Sequence, residues 1–193
     1  MFGTAASPTL LRTFGTDDAL AFVEGRGVDA AGRTIEDYFK FDADKWEECH
    51  NHVQWAFPSH IMSRFNLEAP VVDMEDFSNR LSAQGHVNIK QLMSNYLNSL
   101  GWFEDKGGWH ADLKHERAER WLSPYNHNYQ RISRLLNLLS WIDANLAIEL
   151  LNEFLTVAQE ASKWVMEDHF KRPMAVINAE TVVYWSKAAI GKL

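Results

Sequence analysis

The sequence predicts a mainly α-helical single domain with a loop-rich N-terminal arm, and three observations carry that expectation. Its 193 residues make one ordinary domain. From residue 45 onward apolar residues recur at the 3.6-residue period of a helix, with little period-2 alternation. Residues 1–44 hold only weak periodicity, and GRGVDAAGRT at 25–34 concentrates glycine among turn formers. The arm is therefore expected to pack on a helical body spanning 45–193.

The first helix is expected over 44–57, DKWEECHNHVQWAF, opened by Asp44 as N-cap and closed before Pro58. On a continuous helix Trp46, His50, Val53 and Phe57 fall within ~60° of one another, which puts a histidine inside the apolar stripe. Residues 58–72 contain two prolines and no sustained period, so they read as an irregular connection. Asp73 is placed to cap a short helix over 74–83. Next, Ile89, Leu92, Met93, Tyr96, Leu97 and Leu100 have the spacing of a core-facing helix, which Gly101 stops. EDKGGWH at 104–110 reads as a turn and 111–122 as a polar helix. Past Pro124 a helix over 127–142 presents Ile132, Leu135, Leu136, Leu139 and Ile142. A long helix over 146–170 turns Leu150, Leu151, Phe154, Leu155, Ala158 and Trp164 inward. A last one over 175–189 carries Val182, Val183 and Trp185.

Composition narrows the function. Hydrophobic residues at 46% and charged residues at 23% exclude disordered and collagen-like classes. Nineteen Lys and Arg against 26 Asp and Glu give a net charge of −7, which disfavours duplex nucleic acid and anionic membranes as partners. No run approaches 18 apolar residues and no secretory leader is recognisable, so a membrane span is not expected. Cys49, the only cysteine, permits no intrachain disulfide or multi-cysteine metal site and points to a reducing, cytoplasmic setting.

Two constellations carry chemistry. On the 44–57 helix, Glu47 and Gln54 lie three residues before and four after His50, so the three side chains can meet. Desolvation lowers the pKa of an imidazole and a carboxylate raises it, so Glu47 can poise His50 for acid–base work. The competing reading is a histidine hydrogen-bonded within the core. The second set is Asn126, His127, Asn128, Arg131 and Arg134, where two arginines beside a helix N-terminus form a cationic corner suited to a carboxylate or phosphate. The competing reading makes Asn126 a cap and pairs the arginines with acids such as Glu47. Neither H-x-x-x-H nor H-E-x-x-H occurs, so neither metal nor cofactor is expected. GRGVDAAGR lacks the GK[ST] ending of a phosphate loop.

These segments are similar to a known family. HNHVQWAFP at 50–58 resembles the H-D-Y-I-Q-W-L-F-P signature of the opioid growth factor receptor conserved domain. GRT at 32–34, SRFN at 63–66, AP at 69–70 and NHNYQRISRLL at 126–136 resemble further elements of that domain in the same order. The resemblance spans roughly residues 20–185. Asn51-His52 replaces the family's Asp-Tyr and Ala56 its Leu, and the repeat-rich tail of the animal receptor has no counterpart. The chain looks like the compact bacterial and phage relatives, for which the resemblance implies a helical domain and no known reaction. It carries over Arg33, Glu47, His50, Gln54, Ser63, Asn66, Asn126, His127, Asn128, Arg131 and Arg134 as shared polar positions.

The reading is a protein that binds a small anionic or polar molecule, nucleotide-like in chemistry, between the 44–57 and 127–142 helices. Arg33, Gln54, Trp55, Asn126, His127, Asn128, Arg131 and Arg134 would contact the ligand. The alternatives are an enzyme acting on a nucleotide or modified base through His50 and Glu47, and a module for a protein partner.

Overall fold

The computed structural model describes residues 13–113, 116–122, 126–166 and 177–193, the side chains of 162–166 excepted. It is mainly α, with one two-stranded sheet among the described residues. The interior positions form one contiguous apolar cluster.

Residues 13–44 depart from the loop-rich arm. They contain α1 (Thr16–Val23) and α2 (Ile35–Phe39), which send Leu20, Phe22, Val23, Ile35 and Tyr38 into the core. Both helices are too short for a 3.6 period to stand out. Their caps are nonetheless local: Thr34 accepts the Asp37 N–H, and the Asp37 carboxylate accepts the Thr34 N–H. Between them Asp29 Oδ1 accepts the N–H groups of Ala31 and Arg33, and Gly32 supplies the positive φ of the turn.

The helix expected over 44–57 is two. α3 (Ala43–Glu48) begins at Asp42, two residues before Asp44, and Asp42 accepts the Lys45 N–H. It ends where Cys49 turns extended, and α4 (Val53–Ala56) follows. Residues 58–72 run irregularly, as expected, joined by a bridge between Ser59 and Val71. α5 (Met74–Arg80) carries the Asp73 cap, and α6 (Ala83–Ser99) buries Ile89, Leu92, Met93, Tyr96 and Leu97 before Gly101, at φ +84°, ends the run.

The expected turn over 104–110 belongs to a hairpin, β1 (Trp102–Asp105) with β2 (Gly108–Ala111), which buries Trp102 and Trp109. Glu116–Arg120 is a 3₁₀ turn. α7 (Asn128–Ile142) lies against α8 (Ala144–Met166), α9 (Ala179–Ala189) and α5. Ile132, Leu135, Leu136, Leu138 and Leu139 are fully buried, each contributing about 1.5–3 kcal/mol. α7 also buries Asn128, Arg131 and Asn137, so this helix is enclosed nearly all round. Trp102, Trp121, Phe154 and Trp185 form one aromatic nucleus, and Trp46, Phe57 and Tyr96 a second. The side chain of Trp164, expected inward, and the continuation of α8 to 170 lie outside the described residues, and the last helix starts at Ala179 behind its Asn178 cap rather than at 175.

Candidate functional site

The two polar segments converge. Glu47, in the last turn of α3, accepts hydrogen bonds from residues some 80 positions away: His127 Nε2 at 3.1 Å and Asn128 Nδ2 at 3.0 Å. Asn128 is fully buried and uses its whole amide. Nδ2 also donates to the Arg120 carbonyl at 3.0 Å, while Oδ1 accepts from Tyr96 Oη and Arg131 Nη1, each at 3.3 Å.

Arg131 caps the C-terminal end of α3. Nη1 donates to the Trp46 carbonyl at 2.9 Å, and Nη2 to those of Glu47 and Cys49 at 3.4 and 3.3 Å. The last carbonyls of a helix have no intrahelical partner and carry its negative pole, so a guanidinium satisfies both the hydrogen bonds and the charge. The Glu47 carboxylate, 3.9 Å from Nη1, adds an ion pair. Arg131 and Asn128, both expected to contact a ligand, here bridge α3 and α7.

His50 does not lie in an apolar stripe. The chain leaves helical geometry at Cys49, which turns His50 out to solvent, where its ring stands 5.8 Å from that of His127. Glu47, expected to poise His50, pairs with His127 instead. Burial and the Arg131 charge lower the His127 pKa against the pull of Glu47, which favours the neutral imidazole. The buried histidine is His52, fully enclosed by the rings of Tyr38, Phe41 and Trp46. Neither of its nitrogens completes a hydrogen bond among the described residues. Burial first, then the charges of Arg131 and Arg33, hold it well below the usual histidine range, with the Cys49 backbone pulling the other way.

The other expected contacts fall into structural roles. Arg33 Nε donates to Asp29 Oδ2 at 2.6 Å, and its Nη atoms reach Asn51 Oδ1 at 2.8 Å and Cys49 Sγ at 2.9 Å, tying the 25–34 loop to the 49–51 turn. Asp29 also accepts the Tyr38 hydroxyl at 2.7 Å, and burial together with that carboxylate raises the Tyr38 pKa. Trp55, expected as a ligand wall, is fully buried against Phe14 and Phe22. Asn126 Oδ1 accepts the Asn128 N–H at 2.8 Å, a helix-start contact. Gln54 Nε2 donates to Ser63 Oγ at 3.4 Å, and Arg134 Nη2 to the Ile61 carbonyl at 2.8 Å.

Solvent therefore meets a corner of three titratable groups: the partly open Glu47, and the exposed His127 and His50. Among the described residues no group of three or more His, Cys, Asp or Glu is placed to hold a metal ion, and no helix is long and apolar enough to cross a membrane. An open surface hollow is lined by Asp37, Lys40, Phe41, Asp42, Asp44, Lys45 and Glu48 and contains none of the expected site residues. Sequence reasoning missed His52 and Asn137. A break in α3 was needed to find the first, and the second shows only as an asparagine between Leu136 and Leu138.

No protein-family model matches the chain, and no curated protein or solved structure is detectably similar to it.

Proposed function

We propose that the protein binds a small polar molecule at the corner of His50, Glu47 and His127. We place this corner in a single cytoplasmic helical domain akin to the opioid growth factor receptor conserved domain, with the N-terminal 44 residues packed on it. The observation that carries this reading is the Glu47 carboxylate, partly open to solvent yet aimed by the fully buried Asn128. Buried amides that orient an accessible acid preorganise it for a ligand. Glu47 accepts, while the neutral imidazole of His127 and the adjacent His50 offer a donor or an acceptor. The edge of a nucleobase presents that mixture of groups.

Untargeted mass spectrometry of small molecules released from the purified protein tests the reading. A compound near one equivalent in the wild type, and reduced at least tenfold in His127→Ala and in His50→Ala, is expected. Equal recovery from all three proteins would remove the corner from binding.

A catalytic reading rests on the 3.1 Å contact between Glu47 and His127, a carboxylate orienting a neutral base. If turnover of a nucleotide or modified base is found, His127→Gln is expected to lower kcat by at least ~10²-fold with a smaller change in KM. Losses confined to KM would make His127 a binding residue.

A further inference from the structure

The 59–63 segment rests on polar groups that are only half used. Arg134 is largely buried and has no carboxylate partner among the described residues. Its Nη2 meets the Ile61 carbonyl, and its Nη1, shielded from solvent, has no hydrogen-bond partner among the described residues. One helical turn further along α7, the fully buried Asn137 accepts from Ser59 Oγ at 3.2 Å and leaves Nδ2 without a partner among the described residues. Three residues apart on a helix, both side chains share a face. Arg33, Arg120 and Arg131, by contrast, each have an acid within 4 Å.

An uncompensated guanidinium is costly to bury, and burial pushes the Arg134 pKa down to about 10. Structural arginines avoid that cost by pairing. A positive charge and a neutral amide N–H, both unspent and on one face, complement an oxyanion, which accepts from both and neutralises the cation.

We infer that α7 and the 59–63 segment form an oxyanion site, with Arg134 Nη1 and Asn137 Nδ2 as its donors and a carboxylate or phosphate group as its ligand. The segment gives a route in. It is held by the bridge to Val71, with the Val72 N–H donating to the Ser59 carbonyl, by a contact between His60 and the Leu193 carbonyl, and by side-chain hydrogen bonds from Gln54 to Ser63, from Ser59 to Asn137 and from Arg134 to Ile61, and all of these can break without unfolding a helix. This inference stands apart from the Glu47 corner, since neither site shares a residue with the other.

Thermal melts of the full chain test it, with inorganic phosphate and with sodium acetate, each against sodium chloride at matched ionic strength. The wild type is expected to gain at least ~2 °C in Tm, saturably, with one or both anions. A phosphate response alone marks a tetrahedral oxyanion as the preferred ligand, and an acetate response alone a carboxylate. Arg134→Met should abolish the gain and, in chloride alone, melt at or above the wild type, because the unpaired charge is gone. Asn137→Leu should raise the half-saturating anion concentration about tenfold. A flat wild-type response, an equal response in Arg134→Met, an unchanged half-saturation in Asn137→Leu, or an Arg134→Met protein that melts well below the wild type would each overturn the inference. The last outcome would make the arginine a strut.

Discussion

Arg131→Ala is expected to destabilise the protein by about 3–5 kcal/mol, the usual cost of breaking a buried charge network. The substitution strips the cap from α3, leaving the Trp46, Glu47 and Cys49 carbonyls and Asn128 Oδ1 without this donor, and it removes the cation nearest Glu47. At roughly 2–4 °C per kcal/mol for a chain of this size, Tm should fall by about 6–20 °C. Arg131→Lys keeps the charge without the planar fork that reaches several carbonyls together, so it should recover less than half of the loss. The measurement is thermal melts of the wild type and both variants. A variant within ~2 °C of the wild type would show that α3 holds its end without help and that Arg131 does not set the break at Cys49.

Acid is expected to unfold the protein through His52. Between its depressed folded-state pKa and the unfolded value near 6.5, the unfolded chain binds the proton and the folded one does not. Stability from this group is therefore complete above about pH 6.5 and is lost as the pH falls below it, at about 1.4 kcal/mol per pH unit until the folded-state pKa is reached. The charged and apolar groups around the ring work in the same direction, and only the Cys49 backbone opposes them. Arg131 and Arg33 repel an imidazolium, and the Tyr38, Phe41 and Trp46 rings exclude the water that would solvate it. Phenylalanine fits that aromatic surround without a titrating group. Urea melts of wild type and His52→Phe at pH 7.5, 6.5, 5.5 and 4.5 separate this effect from the carboxylates that both proteins share. The two curves should diverge below pH 6.5, with the variant more stable in acid. Parallel curves over the whole range would clear His52 of any part in acid unfolding.

Much of the helical architecture was legible in the amino-acid order, because caps and periods are local. Asp73 with α5, the apolar stripe of α6 and its stop at Gly101, and the arc of α7 all follow from neighbours within a few residues. The polar positions of the 47–54 and 126–134 segments were legible too, as were their chemical types. Their partners were not. Periodicity carried the 44–57 helix straight through Cys49, because nothing within a helical turn announces that an arginine some 85 positions later takes the carbonyls of α3. Once that cap is in place the chain turns, His50 and His52 exchange burial, and Glu47 faces His127 instead of His50. The same physics separates the two arginines of α7. One turn apart and identical in kind, Arg131 meets carbonyls and an acid while Arg134, among the described residues, meets one carbonyl and keeps a donor unspent. Composition and spacing determine which charges this chain brings inside. Only packing decides which of them are neutralised, because a Coulomb or hydrogen-bond partner is chosen by distance in space, and distance in space is set by the whole fold.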